Sequence, residues 1–179
     1  MSLQKPISTG IKLDEAELIR RCKRIRFVLT DIDGVWTDAR FYYSAEGEMF
    51  KAFSTYDGMA VELLRKAGLQ TVVISGENSP AVRKRVEKLN IEHVFLGIRD
   101  KLQAMESFLQ EHNVSFDQVA YVGDDVNDLQ MLRAAGLTAV PPNSPALHFL
   151  PHDILLDRSG GQGAFRQFAD IILFYRRLN

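Results

Sequence analysis

The sequence predicts an α/β protein built on a doubly wound parallel sheet, and three observations predict it. Short β-rich apolar runs recur along the chain, single helical patterns separate them, and acidic residues cluster where the runs end. Residues 25–30 (IRFVLT) form the first such run, as expected of a strand covered on both faces. Residues 70–75 (QTVVIS), 94–97 and 119–122 read the same way, and 154–156 adds a late strand. Between them, residues 59–67 form a helical pattern stopped by Gly68, a residue suited to a left-handed C-terminal cap. Residues 80–89 begin with Pro80, which a first helical turn tolerates, and put Val82, Val86 and Leu89 on one stripe. Residues 101–111 follow Asp100 as N-cap and repeat Leu102, Met105 and Leu109. Residues 127–135 end at Gly136, and Phe165, Phe168, Ile171, Ile172 and Tyr175 make the apolar stripe of a closing helix. Strands alternating with single helices require crossover connections and hence parallel pairing.

One segment breaks the alternation. Residues 39–53 (ARFYYSAEGEMFKAF) are aromatic-rich with Glu46-Gly47 in the middle, the pattern of a β-hairpin. It reads either as an edge ribbon packed on its own domain or as an oligomerisation arm. Phe41, Tyr42, Tyr43, Met49, Phe50 and Phe53 are a large apolar load for so small a ribbon, which favours the arm. No repeat, low-complexity tract or linker interrupts the 179 residues, so a single domain over 1–179 is expected, with the hairpin and a C-terminal segment from about 160 as its appendages.

Composition excludes several classes. Lys+Arg is 22 against 23 Asp+Glu, which lacks the basic excess of a nucleic-acid binder. With 46% hydrophobic and 25% charged residues the chain is globular, not disordered. The single cysteine, Cys22, allows no intramolecular disulfide and no cysteine-built zinc site. Apolar runs are too short to span a bilayer, and residues 1–10 lack the apolar stretch of a signal peptide, so a cytoplasmic protein without membrane contact is expected. His93, His112, His148 and His152 show no metal-ligand spacing and read as surface residues. The run Arg20 to Arg24 reads as the solvated side of an N-terminal helix, and Trp36 as core packing.

The acids fall where a doubly wound sheet binds ligands, outside the carboxyl ends of its strands. The first strand runs into Asp31-Ile32-Asp33-Gly34, whose two carboxylates, two residues apart, can enter one crevice. A later strand ends in Gly123-Asp124-Asp125, followed by Asn127-Asp128; another ends in Ser75-Gly76, and Lys101 opens a helix after a further strand. Carboxylates this close repel and raise one another's pKa values. Mg2+, a hard cation with a preference for oxygen ligands, relieves that repulsion and attracts phosphate. Ser75 and Lys101 then offer a hydrogen bond and a positive charge to phosphate oxygens. An Asp nucleophile can form an aspartyl-phosphate, and a neighbouring acid can protonate the leaving alkoxide and later activate water.

Asp31-Ile32-Asp33-Gly34-Val35-Trp36-Thr37-Asp38, Ile74-Ser75-Gly76, Asp100-Lys101 and Gly123-Asp124-Asp125-Val126-Asn127-Asp128 resemble, in this order, the four motifs of the haloacid dehalogenase phosphatases. The resemblance implies a HAD-like Rossmannoid fold, Asp31 as nucleophile and Asp33 as general acid/base. It implies Mg2+ held by the Asp31 carboxylate, the Asp33 carbonyl and the Asp124 carboxylate, with Asp125 and Asp128 as a supporting shell. Ser75, Gly76 and Lys101 would bind the phosphoryl group. The Asp-Gly-Val-Trp-Thr-Asp start, the hairpin, the Asp100-Lys101-Leu102 spacing and Gly160-Gly161-Gln162-Gly163-Ala164-Phe165-Arg166 are similar to the small capless enzymes acting on phosphorylated 2-keto-3-deoxy sugar acids. These comprise the 3-deoxy-D-manno-octulosonate (KDO) 8-phosphate phosphatases and a branch acting on 2-keto-3-deoxynononate (KDN) 9-phosphate. Spacing independently leaves no room for a cap domain, either between Asp33 and Ser75 or between Ser75 and Lys101. An open site must borrow its cover, which implies a homo-oligomer, a homotetramer by resemblance, with Gly160 to Gly163 placed to approach a neighbour's site.

The octulosonate enzymes usually carry Arg after the second motif's Ser-Gly, and Glu77 stands there instead, as in the nononate branch. Arg85 and Lys88, three apart on the next helix, suit a substrate carboxylate; a solvated helix face is the blander reading. Thr55 joins Glu77, Arg85 and Lys88 as a candidate substrate contact. Two other classes remain open: a non-catalytic HAD-like oligomerisation domain of sugar-nucleotide metabolism, and a signalling receiver domain. Intact Asp31 and Asp33 speak against the first, and the hairpin has no counterpart in the second.

Overall fold

The computed structural model describes residues 10–178, so the reading of residues 1–10 lies outside the described residues, Gly10 excepted. The strands are β1 (Gly10–Ile11), β2 (Phe27–Thr30), β3 (Tyr42–Ser44), β4 (Gly47–Phe50), β5 (Gln70–Ser75), β6 (His93–Leu96), β7 (Val119–Val122), β8 (Leu137–Val140) and β9 (Ile154–Leu155). The helices are α1 (Glu15–Arg24), α2 (Thr55–Lys66), α3 (Pro80–Lys88), α4 (Lys101–Glu111), α5 (Leu129–Ala134) and α6 (Ala164–Tyr175). Seven strands pair in the order β1-β9-β8-β7-β2-β5-β6, all parallel except β1 against β9, while β3 and β4 form a separate antiparallel ribbon. The chain moves outward from β2 through β5 to β6 and then returns to β7 on the other side of β2. That reversal opens a crevice at the carboxyl ends of β2 and β7, where such sheets bind ligands.

Apolar side chains fill both faces of this sheet, as the unbroken runs predict. Val28, Val73, Ala120 and Val122 face a layer containing Leu18 and Cys22 of α1, Leu64 of α2, Val82 and Val86 of α3, and Phe165 and Phe168 of α6. Phe27, Leu29, Val72, Ile74 and Tyr121 face Met105, Phe108 and Leu109 of α4 and Met131 and Leu132 of α5. The helices start where polar caps hold their first N–H groups. Asp100 accepts from Gln103 N at 3.0 Å, and Ser79 accepts from Val82 N ahead of Pro80. Trp36 is fully buried, stacks on Phe165 at 5.1 Å and donates Nε1–H to Thr30 Oγ1 at 3.0 Å.

Several boundaries differ from the sequence pattern. The second helix starts at Thr55 instead of residue 59, because Ser54 caps it through Tyr56 N; Gly58, a poor helix former, hides that first turn from the pattern. The helix expected over 127–135 begins as a 3₁₀ turn, Val126–Asp128, with Asp125 capping Val126 N at 2.7 Å. Strand β8 was not legible, being four residues with Thr138 inside, directly after the helix-stopping Gly136. His93 and His112 are not surface residues: both are half-buried in an aromatic cluster with Phe27 and Phe108, their rings 5.2 Å apart.

The ribbon forms inside the expected 39–53 segment, turning through Ala45 and Glu46. It leaves its apolar load outside, with Tyr43 65%, Met49 61% and Phe50 51% exposed. Gly160 and Gly161 pack under their own chain's first loop. Gly161 N donates to Val35 O at 3.2 Å, Gly160 N donates to Asn143 Oδ1 at 2.7 Å, and a Cβ on Gly160 would strike the Gly34 carbonyl. No helix of the described residues is long and apolar enough to cross a membrane.

Candidate active site

Parallel pairing of β2 with β7 sets the first two acids side by side. Asp31 N donates to Val122 O at 3.0 Å, so the residue after β2 stays in the sheet's register and its side chain turns into the crevice. The chain then bends sharply: Trp36 N and Thr37 N both donate to Ile32 O. Gly34 permits this with φ +89°, and any Cβ there would collide with the Asp124 carboxylate. Asp124 enters from the end of β7, where Ser144 Oγ donates to its carbonyl at 2.5 Å.

Asp31, Asp124 and Asp128 are all buried and offer oxygens within 4.8 Å of one another. Lys101, at the first turn of α4, reaches under them with a side chain 1% exposed. Its Nζ donates to Asp31 Oδ1 at 2.8 Å and Asp128 Oδ1 at 2.6 Å. Asp128 is saturated by donors, taking Tyr121 OH at 2.5 Å on Oδ1 and the Asp124 and Asp125 N–H groups on Oδ2 at 2.8 and 3.2 Å. Its lone pairs therefore orient Lys101 and the Asp124 loop and leave little for a metal. Burial pushes the Asp31 carboxyl up, with Lys101 opposing and Asp128 adding to the shift. Burial, then repulsion from Asp31, Asp128 and Asp125, pushes Asp124 up to about 8. Burial alone would lower the Lys101 pKa, but Asp31 and Asp128 outweigh it and hold it above its ordinary value.

Such a cluster holds more negative charge than its protein cations balance, and its hard oxygen donors fit Mg2+. Of the first and last motifs, the Asp31 and Asp124 carboxylates stand in this cluster.

A cleft of about 520 Å3 opens above this floor, lined by Asp31, Asp33, Ser75, Gly76, Glu77 and Asp124 together with Asp38, Phe41, Asp125, Asn127 and Asn143. Ser75 is buried at the end of β5, and its Oγ accepts from Glu77 N at 3.2 Å. Arg85, Lys88 and Thr55 are not among the cleft's lining residues. Arg85 is half-buried and donates Nη2–H to Ser54 O at 3.1 Å, which ties α3 to the start of α2. Lys88 and Thr55 are exposed outside the lining.

Sequence reasoning passed over three residues. Lys51, just after β4, buries its ammonium 2.5 Å from Asp33 Oδ1; a lone lysine in an aromatic ribbon was the available signal. Thr37 Oγ1 donates to the same oxygen at 3.3 Å. Asn143, in the loop after β8, donates Nδ2–H to Gly34 O at 3.1 Å and so clamps the first loop.

The sequence pattern of haloacid dehalogenase-like hydrolases matches residues 11–136. The 3-deoxy-D-manno-octulosonate 8-phosphate phosphatase of Haemophilus influenzae is 38% identical over 154 residues, 86% of each chain. The crystal structure of the Moraxella catarrhalis 3-deoxy-D-manno-octulosonate 8-phosphate phosphatase, in complex with magnesium ion, phosphate ion and KDO, has 32% identity and a TM-score of 0.84, covering 89% of this chain and 91% of that one. The cobalt-bound form of the Haemophilus influenzae enzyme has 37% identity and a TM-score of 0.81, covering 87% and 91%. The chain belongs to the haloacid dehalogenase-like hydrolases and, within them, to the phosphatases.

Proposed function

We propose that this phosphatase hydrolyses the phosphomonoester of a 2-keto-3-deoxy sugar acid, with KDO 8-phosphate as substrate, through an aspartyl-phosphate on Asp31. The observation that carries the reading is the floor of the cleft: Asp31 held by Lys101, with Asp124 and Asp33 beside it. The named activity of the Haemophilus influenzae relative supports the substrate.

When bound to the Asp31 and Asp124 carboxylates and the Asp33 carbonyl, Mg2+ supplies positive charge that offsets the floor and draws in phosphate. Lys101 adds its ammonium to the transferring phosphoryl oxygens, and Ser75 Oγ, at the end of β5, adds a hydrogen bond. Asp31 attacks phosphorus and the P–O bond to the sugar breaks, while Asp33 gives its proton to the leaving alkoxide. Asp33, now a carboxylate, takes a proton from water as that water attacks phosphorus; the bond to Asp31 breaks and phosphate leaves. Asp125 and Asp128 hold the Asp124 loop in place.

Glu77 supports a second reading, KDN 9-phosphate, because it lines the cleft where it can meet sugar hydroxyls or an amine. Comparing kcat/KM on the two substrates, with and without Glu77→Arg, separates the readings: a ratio that does not move removes Glu77 as a discriminator. The exposed aromatics of the ribbon support a homotetramer as the working enzyme, and the buried free thiol of Cys22 fits a reducing, cytoplasmic setting. The deciding experiment is Mg2+-dependent phosphate release from KDO 8-phosphate, abolished in Asp31→Asn. No turnover on any sugar acid phosphate would overturn the proposal.

A further inference from the structure

We infer that Lys51, carried on the ribbon, is a positioning residue that fixes the orientation of the Asp33 carboxylate for its proton transfers. The inference rests on the role of Asp33 proposed above.

The Lys51 side chain is 0% exposed, and its Nζ lies 2.5 Å from Asp33 Oδ1 and 3.9 Å from Glu48 Oε2. The Phe41 ring covers the ammonium at 3.9 Å to its centroid. A buried ammonium is costly unless paired with good geometry, so its placement here needs a reason beyond stability. Thr37 Oγ1 donates to the same oxygen, Oδ1, at 3.3 Å. Asp33 Oδ2 is buried and takes no hydrogen bond from the protein. One oxygen of Asp33 is thus held by two donors, and the other is enclosed without a donor, so the Lys51 and Thr37 contacts alone set the carboxylate's orientation.

An anchored carboxylate suits a proton shuttle. The same carboxylate must face the leaving alkoxide in the first step and a water in the second. The carboxylate torsion of Asp is broad and nearly two-fold, so an unanchored Asp33 would exchange its oxygens. Holding Oδ1 fixes the carboxylate's torsion for both steps, which removes a reorganisation from each. The ribbon that carries Lys51 is itself tied down, because Ser79, the N-cap of α3, donates its Oγ–H to Glu48 Oε1. Two polar ties therefore set the ribbon's seat, one on the second motif's loop and one on Asp33.

The test is a double-mutant cycle on the full chain with Mg2+ and KDO 8-phosphate, comparing Lys51→Met, Asp33→Asn and the double variant. Lys51→Met is expected to lower kcat roughly 10–100-fold with KM within about 3-fold of wild type, since it weakens proton transfer and not binding. In the Asp33→Asn background the same change should alter kcat by less than about 2-fold, because Lys51 acts through Asp33. A lysine that served only packing would give losses that multiply, and that result overturns the inference, as does wild-type turnover in Lys51→Met or a loss confined to KM. Full turnover in Asp33→Asn alone would instead overturn the proposed role of Asp33. Should Lys51→Met fail to fold, Lys51→Ala, which removes the donor and leaves room for water, is read in the same cycle against the same criteria.

Discussion

The floor of the cleft and the β3–β4 ribbon lie one ion pair apart, through Lys51 and Asp33, yet they are built on opposite terms. The floor is charged and buried: Asp31, Lys101, Asp124 and Asp128 have almost no exposure. The ribbon is apolar and exposed, with Tyr42, Tyr43, Met49 and Phe50 facing outward. Each is out of balance with its surroundings in its own currency. The floor has too much negative charge for its protein cations, a deficit a metal ion meets. The ribbon has more apolar surface in water than an ordinary surface, a deficit that burial against another protein surface would meet. Removing groups from the floor should therefore strike chemistry and stability, and altering the ribbon should strike assembly and leave the domain alone.

The largest expected effect is at the floor. Asp31→Asn keeps the shape but removes the nucleophile, and turnover on KDO 8-phosphate should fall by about four orders of magnitude or more. Its Tm should stay within a few degrees of wild type, because Lys101 keeps Asp128 as a partner at 2.6 Å. Retained turnover would mean that the buried acid is structural and that the floor is not the reaction centre.

The same contrast explains what the sequence made legible. The parallel sheet could be read because β2, β5 and β7 are buried on both faces, which demands unbroken apolar runs. Asp31, Ser75 and Asp124 could be placed in one cleft because each sits at or just past the carboxyl end of a parallel strand, so topology alone brings them together. Residues whose position depends on tertiary docking could not be placed. Arg85 shares the side of α3 expected to carry substrate contacts, but its guanidinium is drawn to the Ser54 carbonyl, a partner 31 residues away. Lys51 lies 18 residues beyond Asp33 on another element, and no local period links the two. Strand β8 failed for a simpler reason, since four residues beside a helix stop carry too little pattern.

The next effect in size concerns Asp128. Asp128→Asn replaces an acceptor of four hydrogen bonds with a group that accepts on one side only, and it strips Lys101 of an ionic partner. Breaking a buried pair from one side should destabilise by about 3–5 kcal/mol, or roughly 6–20 °C in Tm for a chain of this size. Thermal melts check it. A loss under about 1 kcal/mol would show that the floor is not the coupled unit described above.

A smaller effect follows from pH. Asp124 is pushed up to about 8, and Asp57, buried in the first turn of α2, to about 6. Both lie above the unfolded carboxylate value of about 4, so the folded chain binds more protons than the unfolded one between those limits. The metal-free protein should then lose stability as pH rises from about 4 toward about 8. Mg2+ favours the ionised form of Asp124, so the gap in Tm between the Mg2+-loaded and metal-free protein should widen over the same interval. Melts in Mg2+ and in chelator across this range test the sign; a gap that narrows with pH would contradict a metal site built on Asp124.

The smallest effect on the fold is expected at the ribbon. Met49 is 61% exposed and touches the solvent side of β4, so Met49→Glu removes apolar surface without opening a cavity. At dilutions where the wild type is also a single chain, its Tm should move by no more than about 2 °C, the scale of an ordinary surface change. At higher concentration the wild type should scatter light as an oligomer whose Tm rises with concentration, while Met49→Glu should remain a single chain with a Tm that does not. A large fall in the Tm of the dilute variant would put the ribbon inside the domain's own core, and unchanged mass would remove it from the interface. Either result erases the contrast between floor and ribbon. If instead the single-chain variant also turns over more slowly at unchanged KM, the seat of the ribbon reaches Asp33 through Lys51, and the two regions are joined in catalysis as they are in structure.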